Sequence, residues 1–551
     1  MAAPNLPGHL AGKAPALTHP LGFTCLLAVM WLLPGLLGHD PWKPDEAQNF
    51  GIVYEMLQSG DWVVPTLAGE PYVRNPPLVH ITAGFLGRLL EPVMPLHEGA
   101  RLVSGLYVAL ALLLVAAVAR ELIGDGNGWL AALALLGSIG LLLPSHLLVP
   151  DVAQLAGVAL ALYGFALVLR RPAWGGLALG TGAGMAFLSK GLFGPVCLTF
   201  VAVLLPALSA RWRTRAYLMS AAIAAIVALP WLVIWPTLLL QRAPDVFQHW
   251  LWVNNLGRLF GGADSFWPPE APGYYLAILP WFAFPSLPLA AWAVWAHRNH
   301  LAEPHLLLPL LSAGVFLAVL SVGAPREVLA LPLLAPLAVL AALGVLRLGR
   351  SASHAFWWFS ILFGSFLVLM AWFEWTALEV GFPDRRHQHW LKLQPGYEPH
   401  VDLFVVALAV ALTLFWIWLV RRLRRSPERP LIAWAGAIAV VWALAFTMFG
   451  AYADAGKSYR QMVQSIARTL PEGHECISSY NLADPQRAML HYFAGIRTYR
   501  EEIPARARRC DVMLVQGSRA GIYVPGPEWE QIWEGARRGD RRELYRLYRR
   551  V

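Results

Sequence analysis

The stretch "LGFTCLLAVMWLLPGLLGHDPWKPDEAQNFGIVYEMLQSGDWVVPTLAGEPYVRNPPL", residues 21–78, joins two kinds of chain. Leu21–Leu37 is an apolar run of bilayer-crossing length, which takes about 17–25 residues. No small-x-small cleavage pattern follows it, so it reads as an uncleaved first span rather than a signal peptide. From His39 onward charge arrives at once, with Asp45, Glu46, Glu55, Asp61, Glu70 and Arg74 inside 36 residues of sequence. A greasy chain that places an acidic pair directly after its first span invites a search for charges at the same membrane face.

The rest of the sequence is as apolar as that run. Of 551 residues 57% are hydrophobic and 14% charged, with a mean hydropathy of +0.51, whereas soluble proteins carry about 25% charge. The fold class is therefore a polytopic α-helical membrane protein. Further apolar runs fall at 99–119, 128–146, 151–169, 173–189, 192–209, 216–238, 273–296, 304–323, 328–346, 355–375, 401–420 and 431–451, so about thirteen spans are expected with the first at 20–38. The net charge of +9 comes from arginine, since lysine occurs only at 13, 43, 190, 392 and 457. The arginines sit in short clusters between apolar runs, which indicates topology control rather than nucleic-acid binding. With the N-terminus cytoplasmic, fourteen arginines (120, 170, 171, 211, 213, 215, 298, 347, 350, 421, 422, 424, 425 and 429) fall in inside connections. The positive-inside rule selects that orientation, and thirteen spans then put the C-terminus outside.

Three outer segments exceed simple turns, 39–98, 239–272 and 376–400; long loops in a compact domain are usually functional. The division expected is a membrane module over 1–452 and a soluble α/β domain over 453–551 on the outer side. Within the latter, "SYRQMVQSIARTL" and "PQRAMLHYFAG" have helical patterning, and "ECISSY" and "DVMLVQG" read as strands. The basic tail "RRGDRRELYRLYRR" reads as a solvated helix or as a contact for anionic lipid headgroups. Cys25 and Cys197 lie in apolar runs. Cys476 and Cys510 each open a strand-like segment, which leaves two readings: a disulfide on an oxidising face, or two buried thiols. No Cys/His metal spacing occurs, and dependence on a divalent metal is left open.

Topology gathers five charges at the outer face: Asp45 after the first span, Asp151 at the head of the fourth, Lys190 between the fifth and sixth, Arg258 in the second long loop, and Arg326 before the tenth. Ionisable side chains at this depth are costly and are functional candidates. Each has a plainer reading. Lys190 can snorkel, Asp45 and Asp151 can cap helices, and Arg258 and Arg326 can end loops. The conjunction of two carboxylates with several cations suits transfer chemistry on an anionic lipid, with carboxylates serving the acceptor and cations the leaving phosphate. A secondary transporter is the competing class. It would carry charges near the midplane and show internal repeats, and no repeat is evident. A non-catalytic scaffold would leave the loop charges unexplained.

The order of "PDEAQNFGIVYEMLQSGDWVVPTLAGEPYVRNPPL" (44–78) resembles the first outer loop of bacterial glycosyltransferases of the C-type membrane fold, the lipid A aminoarabinose transferases and the related protein O-mannosyltransferases. The matching features are Asp45-Glu46, then a helix, then Ser59-Gly60-Asp61-Trp62 with Pro65, then Tyr72-Val73-Arg74-Asn75-Pro76-Pro77. "PDVAQLAGVALALYGF", "GMAFLSKGLFGPV" and "SVGAPREVLALPLLAPLAVLAA" match further, and "WVNNLGRLFG" before "PGYYLAILPW" matches more loosely. The resemblance implies a C-type transferase at a bacterial inner membrane, moving a sugar from a polyprenyl-phosphate carrier to an outer-face acceptor. It implies 4-amino-4-deoxy-L-arabinose and lipid A as the best match of sugar and acceptor, with another glycan or a protein as the alternative. Asp45 would be the principal catalytic carboxylate, with Glu46 beside it and Asp151 as the second acid. Lys190 and Arg258 would hold the carrier phosphate, with Arg326 and Arg74. Two positions depart from the family pattern. The lysine usual before Pro-Pro is replaced by Arg74-Asn75, which displaces the cation by one position, and Leu329-Ala330 stand where a tyrosine is usual.

Overall fold

Each apolar run of the sequence is helical in the computed structural model, which describes residues 19–257, 273–323, 325–503, 509–518, 520–540 and 542–551. After α1 (Pro20–Leu32), the first long loop carries α2 (Asp45–Ser59), a two-stranded ribbon of β1 (Thr66–Leu67) and β2 (Glu70–Pro71), and α3 (Leu78–Leu90). The chain then runs through α4 (Leu96–Ile123), α5 (Gly128–Leu136), α6 (Pro150–Val168), α7 (Pro172–Lys190), α8 (Phe193–Leu208), α9 (Arg215–Arg242) and the short α10 (Pro244–His249). It continues with α11 (Tyr274–Phe282), α12 (Ser286–Ala296), α13 (Pro304–Leu320), α14 (Leu331–Leu346), α15 (Arg350–Trp375), α16 (Asp384–Leu393), α17 (Leu403–Arg422) and α18 (Arg429–Lys457). This is a multi-pass membrane protein. Leu218, Ile226, Leu229 and Ile234 on α9 are more than half exposed, a surface that belongs in lipid rather than water.

The expected thirteen spans are not reached by length and composition. Among the described residues seven helices are long and apolar enough to cross alone, or nine if each of two bent pairs is one span. One pair bends by 67° between Gly128–Leu136 and Ile139–His146, the other by 97° between α11 and α12. Helices α1, α8 and α13 are apolar but shorter. Glycine spacing sets the closest packing. A Cβ on Gly157 would meet the Ala186 nitrogen at 2.7 Å, and one on Gly164 the Leu179 nitrogen at 2.5 Å. Small residues in register thus let the backbones of α6 and α7 approach directly. The two helices run antiparallel, so the start of α6 lies opposite the end of α7.

Beyond α18 come α19 (Arg460–Thr469), β3 (Ile477–Tyr480), α20 (Asp484–Ala494), β4 (Thr498–Arg500), β5 (Val512–Gly517), β6 (Trp529–Gly535) and β7 (Leu544–Arg550). The sheet order is β4-β3-β5-β7-β6, with β3 parallel to β4 and β5, and β7 antiparallel to β5 and β6. The basic tail is therefore not a helix, and its second half is an interior strand. Its Tyr545 and Leu547 are fully buried two residues apart, the period of a strand, and aromatic residues favour that state. Cys476 and Cys510 are disulfide-bonded, with Cα atoms 5.0 Å apart.

The first long loop lies between this sheet domain and the membrane helices. Ala47, Phe50, Val53 and Met56 of α2 join one apolar cluster with Met462, Val463, Met489, Leu490, Val512 and Leu547. Gly51 allows α2 to close on Ala488 of α20. Around this contact the loop supplies mainly acids and the domain mainly bases. Asp40 pairs with Arg460, Glu55 with Arg497 at 3.0 Å, and Glu70 with Arg487 at 2.7 Å. Lys43 reverses the pattern, held by Asp540 at 2.8 Å and Glu543 at 2.7 Å.

Burial alone would raise the carboxyls of Asp40, Glu55 and Asp540. The hydrogen bonds of Arg460 and Ser458 to Asp40, of His491 to Glu55, and of Lys43 to Asp540 outweigh it and hold all three below the usual range. A carboxyl depressed in the folded state contributes stability above its unfolded pKa of about 4 and loses it as pH falls toward the folded value. The apparent melting temperature of the purified protein should therefore hold its contribution from this contact down to about pH 4 and drop below it. Replacing Asp540 by Asn should flatten that drop, and an unchanged acid limb would assign it elsewhere.

Candidate functional site

Asp45 and Glu46 are adjacent on the first turn of α2, so their side chains leave the helix about 100° apart. The two carboxylates have different fates. Asp45 is held by Asn49, whose amide donates to the Asp45 carbonyl at 2.8 Å while its oxygen meets His80 Nε2 on α3 at 3.0 Å. The Asp45 carboxylate faces Arg326 at 3.3 Å, and the two side chains are 39% and 26% exposed. No side chain caps α2 or α6, so neither Asp45 nor Asp151 serves as a helix cap.

Glu46 is enclosed. Its side chain is 1% exposed and that of its partner Arg101, on α4, is 0%. One carboxylate oxygen takes Arg101 Nε and the backbone N–H of Leu148 at 3.4 Å, and the other takes the Trp42 N–H at 2.9 Å. The remaining guanidinium nitrogens donate to the carbonyls of Leu36 at 3.2 Å, His39 at 3.0 Å and Asp40 at 3.3 Å. A buried pair needs such additional bonds to offset its desolvation. Glu46, expected beside Asp45 as a catalytic acid, is instead committed to fastening α1, the loop and α4 together.

Leu148 leads to the second acid. Three residues on, Asp151 enters the first turn of α6, and Lys190 ends the antiparallel α7, placing Lys190 Nζ 3.0 Å from Asp151 Oδ1. Their side chains are 5% and 7% exposed. Lys190 is thus turned inward on a carboxylate and does not reach for headgroups. After it the chain turns sharply at Gly191, where φ is +76°; only glycine adopts that conformation freely. Asn255 grips this elbow, accepting from the Leu192 N–H at 3.0 Å and donating to the Trp250 carbonyl at 3.0 Å.

The neighbouring Asn254 donates to the Val73 carbonyl at 2.9 Å. Arg74 therefore lies one residue from a tie to the Lys190 elbow, and it forms no ion pair among the described residues. Arg326 is set by Tyr275, whose hydroxyl bonds both its N–H and its carbonyl at 3.2 Å. Arg258 lies outside the described residues. Among those described, no three His, Cys, Asp or Glu side chains are grouped to hold a metal.

Six of the seven expected residues, Arg74 among them, are thus located. Asp45 pairs with Arg326, Asp151 pairs with Lys190, and Glu46 links the two places through Leu148. Sequence reasoning missed Arg101, Asn255 and Tyr275. A lone arginine at the head of an apolar span was the available signal for the first, because it has to find a carboxylate.

The profile of the dolichyl-phosphate-mannose-protein mannosyltransferase family matches residues 75–235. Curated relatives include an undecaprenyl phosphate-alpha-4-amino-4-deoxy-L-arabinose arabinosyl transferase of Pectobacterium carotovorum, 30% identical over 368 residues, 62% of this chain and 63% of that one. A protein of the same name from Pseudomonas aeruginosa is 30% identical over 339 residues, 59% of this chain and 60% of its own. The chain thus matches about three fifths of the length of these relatives. Among solved structures, ArnT from Cupriavidus metallidurans bound to undecaprenyl phosphate aligns with a TM-score of 0.72 at 18% identity, covering 96% of this chain and 97% of that one. In sequence and fold the chain resembles the lipid A aminoarabinose transferases and protein O-mannosyltransferases of the C-type fold.

Proposed function

We propose that the protein is a glycosyltransferase of a bacterial inner membrane that moves 4-amino-4-deoxy-L-arabinose from an undecaprenyl-phosphate carrier to a lipid A acceptor at the outer face. The observation that carries the reading is the pairing of two acids with two cations, Asp45 with Arg326 and Asp151 with Lys190, at the end of a helical bundle that also binds the first outer loop. Asp45, accessible and set at the start of α2, orients the acceptor oxygen or takes its proton. Lys190 and Arg326, with Arg258 and Arg74, take the carrier phosphate. That phosphate gains negative charge as the bond to the sugar breaks, so cations beside it favour the transition state over the ground state. Asp151 holds Lys190 in place until the phosphate arrives. The test is transfer by the purified protein from undecaprenyl-phosphate aminoarabinose to lipid A, read as the mass of the modified lipid. Modification of another glycan or a protein, with lipid A untouched, would replace the acceptor and keep the reaction class.

Lys190→Ala should lower single-turnover transfer roughly 10²–10³-fold, the effect of removing one preorganised charge-stabilising group, and change donor affinity less. If affinity collapses while the chemical step is unchanged, Lys190 only docks the lipid.

The orientation proposed is N-terminus in the cytoplasm and the sheet domain, residues 453–551, in the periplasm. The arginine distribution supports it, as does the Cys476–Cys510 disulfide, a bond that persists in oxidising compartments. A reporter active only in the periplasm, fused after Val551, is expected to be active. Activity of a cytoplasm-only reporter there would overturn the topology.

A further inference from the structure

One polar side chain in the bundle has nothing to do in the state described above. Gln154 lies on α6 three residues after Asp151, so it projects from nearly the same face one turn deeper. It is 0% exposed. Among the described residues neither its amide nitrogen nor its amide oxygen has a hydrogen-bond partner. Its nitrogen lies 3.6 Å from where a Cβ on Gly194 would stand, so the amide is aimed at the first turn of α8, just past the Lys190–Gly191–Leu192 elbow. A buried amide without partners costs stability, and such groups in folded proteins call for an explanation.

We propose that Gln154 is a positioning residue that takes Lys190's place on Asp151 when Lys190 turns to the carrier phosphate. The inference rests on the carrier-phosphate reading above. In the described state Asp151 Oδ1 is met by Lys190 Nζ at 3.0 Å, and the carboxylate is 5% exposed. An incoming phosphate competes for the same ammonium. Once Lys190 leaves, Asp151 is an almost buried carboxylate without its cation, which would oppose binding. A glutamine and an aspartate three residues apart on a helix are within hydrogen-bonding reach. The Gln154 amide can therefore donate to the carboxylate that Lys190 vacates. The unpaired amide of the free protein and the orphaned acid of the loaded one are resolved by a single rotamer change.

The two states respond to substitution with opposite sign, which makes the proposal testable. Gln154→Leu removes an unsatisfied group from the free protein and the reserve donor from the loaded one. The full-length protein in nanodiscs is titrated with undecaprenyl phosphate, and its melting temperature is measured without ligand. The expected result is a melting temperature at or above that of the parent and an affinity about tenfold weaker. In a Lys190→Met background, where no ammonium has to be replaced, Gln154→Leu should change affinity by less than about twofold, and that coupling is what a purely structural glutamine would not show. Gln154→Asn, which keeps the amide but is too short to reach, should weaken binding like Gln154→Leu and stands in for it if the leucine variant does not fold. A lower melting temperature with unchanged affinity would overturn the proposal, and so would an equal loss in both backgrounds. If the parent protein itself fails to bind undecaprenyl phosphate, the carrier reading falls and this inference with it.

Discussion

Asp45→Asn is expected to lower sugar transfer about 10²–10⁴-fold, the usual contribution of a positioned acid or base, while the protein still extracts as a folded species. The expectation follows from how little else Asp45 does. Among the described residues its carboxylate makes one ion pair, to a partly exposed Arg326, and its carbonyl rather than its side chain is what Asn49 holds. An amide at this position keeps the size of the group and loses its charge and basicity. Single-turnover transfer from the lipid-linked donor, beside the melting temperature of the variant, separates the two effects. Near-normal turnover would make Asp45 a partner of Arg326 and nothing more.

The acid next to it should behave in the opposite way. Arg101→Ala leaves Glu46 charged and fully enclosed, and breaking a buried pair in this manner costs roughly 3–5 kcal/mol. The variant should melt at a much lower temperature and be recovered in poor yield. The double variant Arg101→Met with Glu46→Leu should regain much of the loss, since an apolar pair of similar volume often substitutes well for a buried ion pair. An Arg101→Ala protein with unaltered melting would return Glu46 to the list of catalytic candidates. Two neighbouring carboxylates, one partly exposed and one enclosed, are distinguished by their surroundings and by nothing in their spelling.

That distinction also marks how far the sequence could be read. Apolar runs reveal helices because lipid and core demand the same composition, and the amphipathic segments 460–469 and 484–494 and the strands at 477 and 512 were legible from their periods. Asp45 and Asp151 stood out because each follows or opens an apolar run. The commitment of Glu46 depended on Arg101, 55 positions away, and no local pattern encodes such a pairing. The tail over 544–550 misled because its many arginines suggest a solvated face, although Tyr545 and Leu547 keep the strand period on one face and Tyr548 is buried on the other. Length and composition alone do not reach the expected span count among the described residues, because several apolar helices are short and two pairs are bent, as between α11 and α12.

The placement of β7 has a consequence in time. Lys43 and its partner Glu543 are separated by 500 positions, and β7 sits between β5 and β6 rather than at an edge of the sheet. At a synthesis rate of about 5–20 residues per second, the segment that carries Asp45 emerges roughly 25–100 s before the strand that completes the sheet domain packed on it. For most of that interval α2 shows its apolar face, and Asp40, Glu55 and Glu70 lack the arginines that balance them. The nascent protein is therefore a bundle with an unfinished upper surface. The surface on which α2 rests is complete only when the last strand slots between β5 and β6, so a chain broken before β7 should carry Asp45 on a loop whose packing is unfinished.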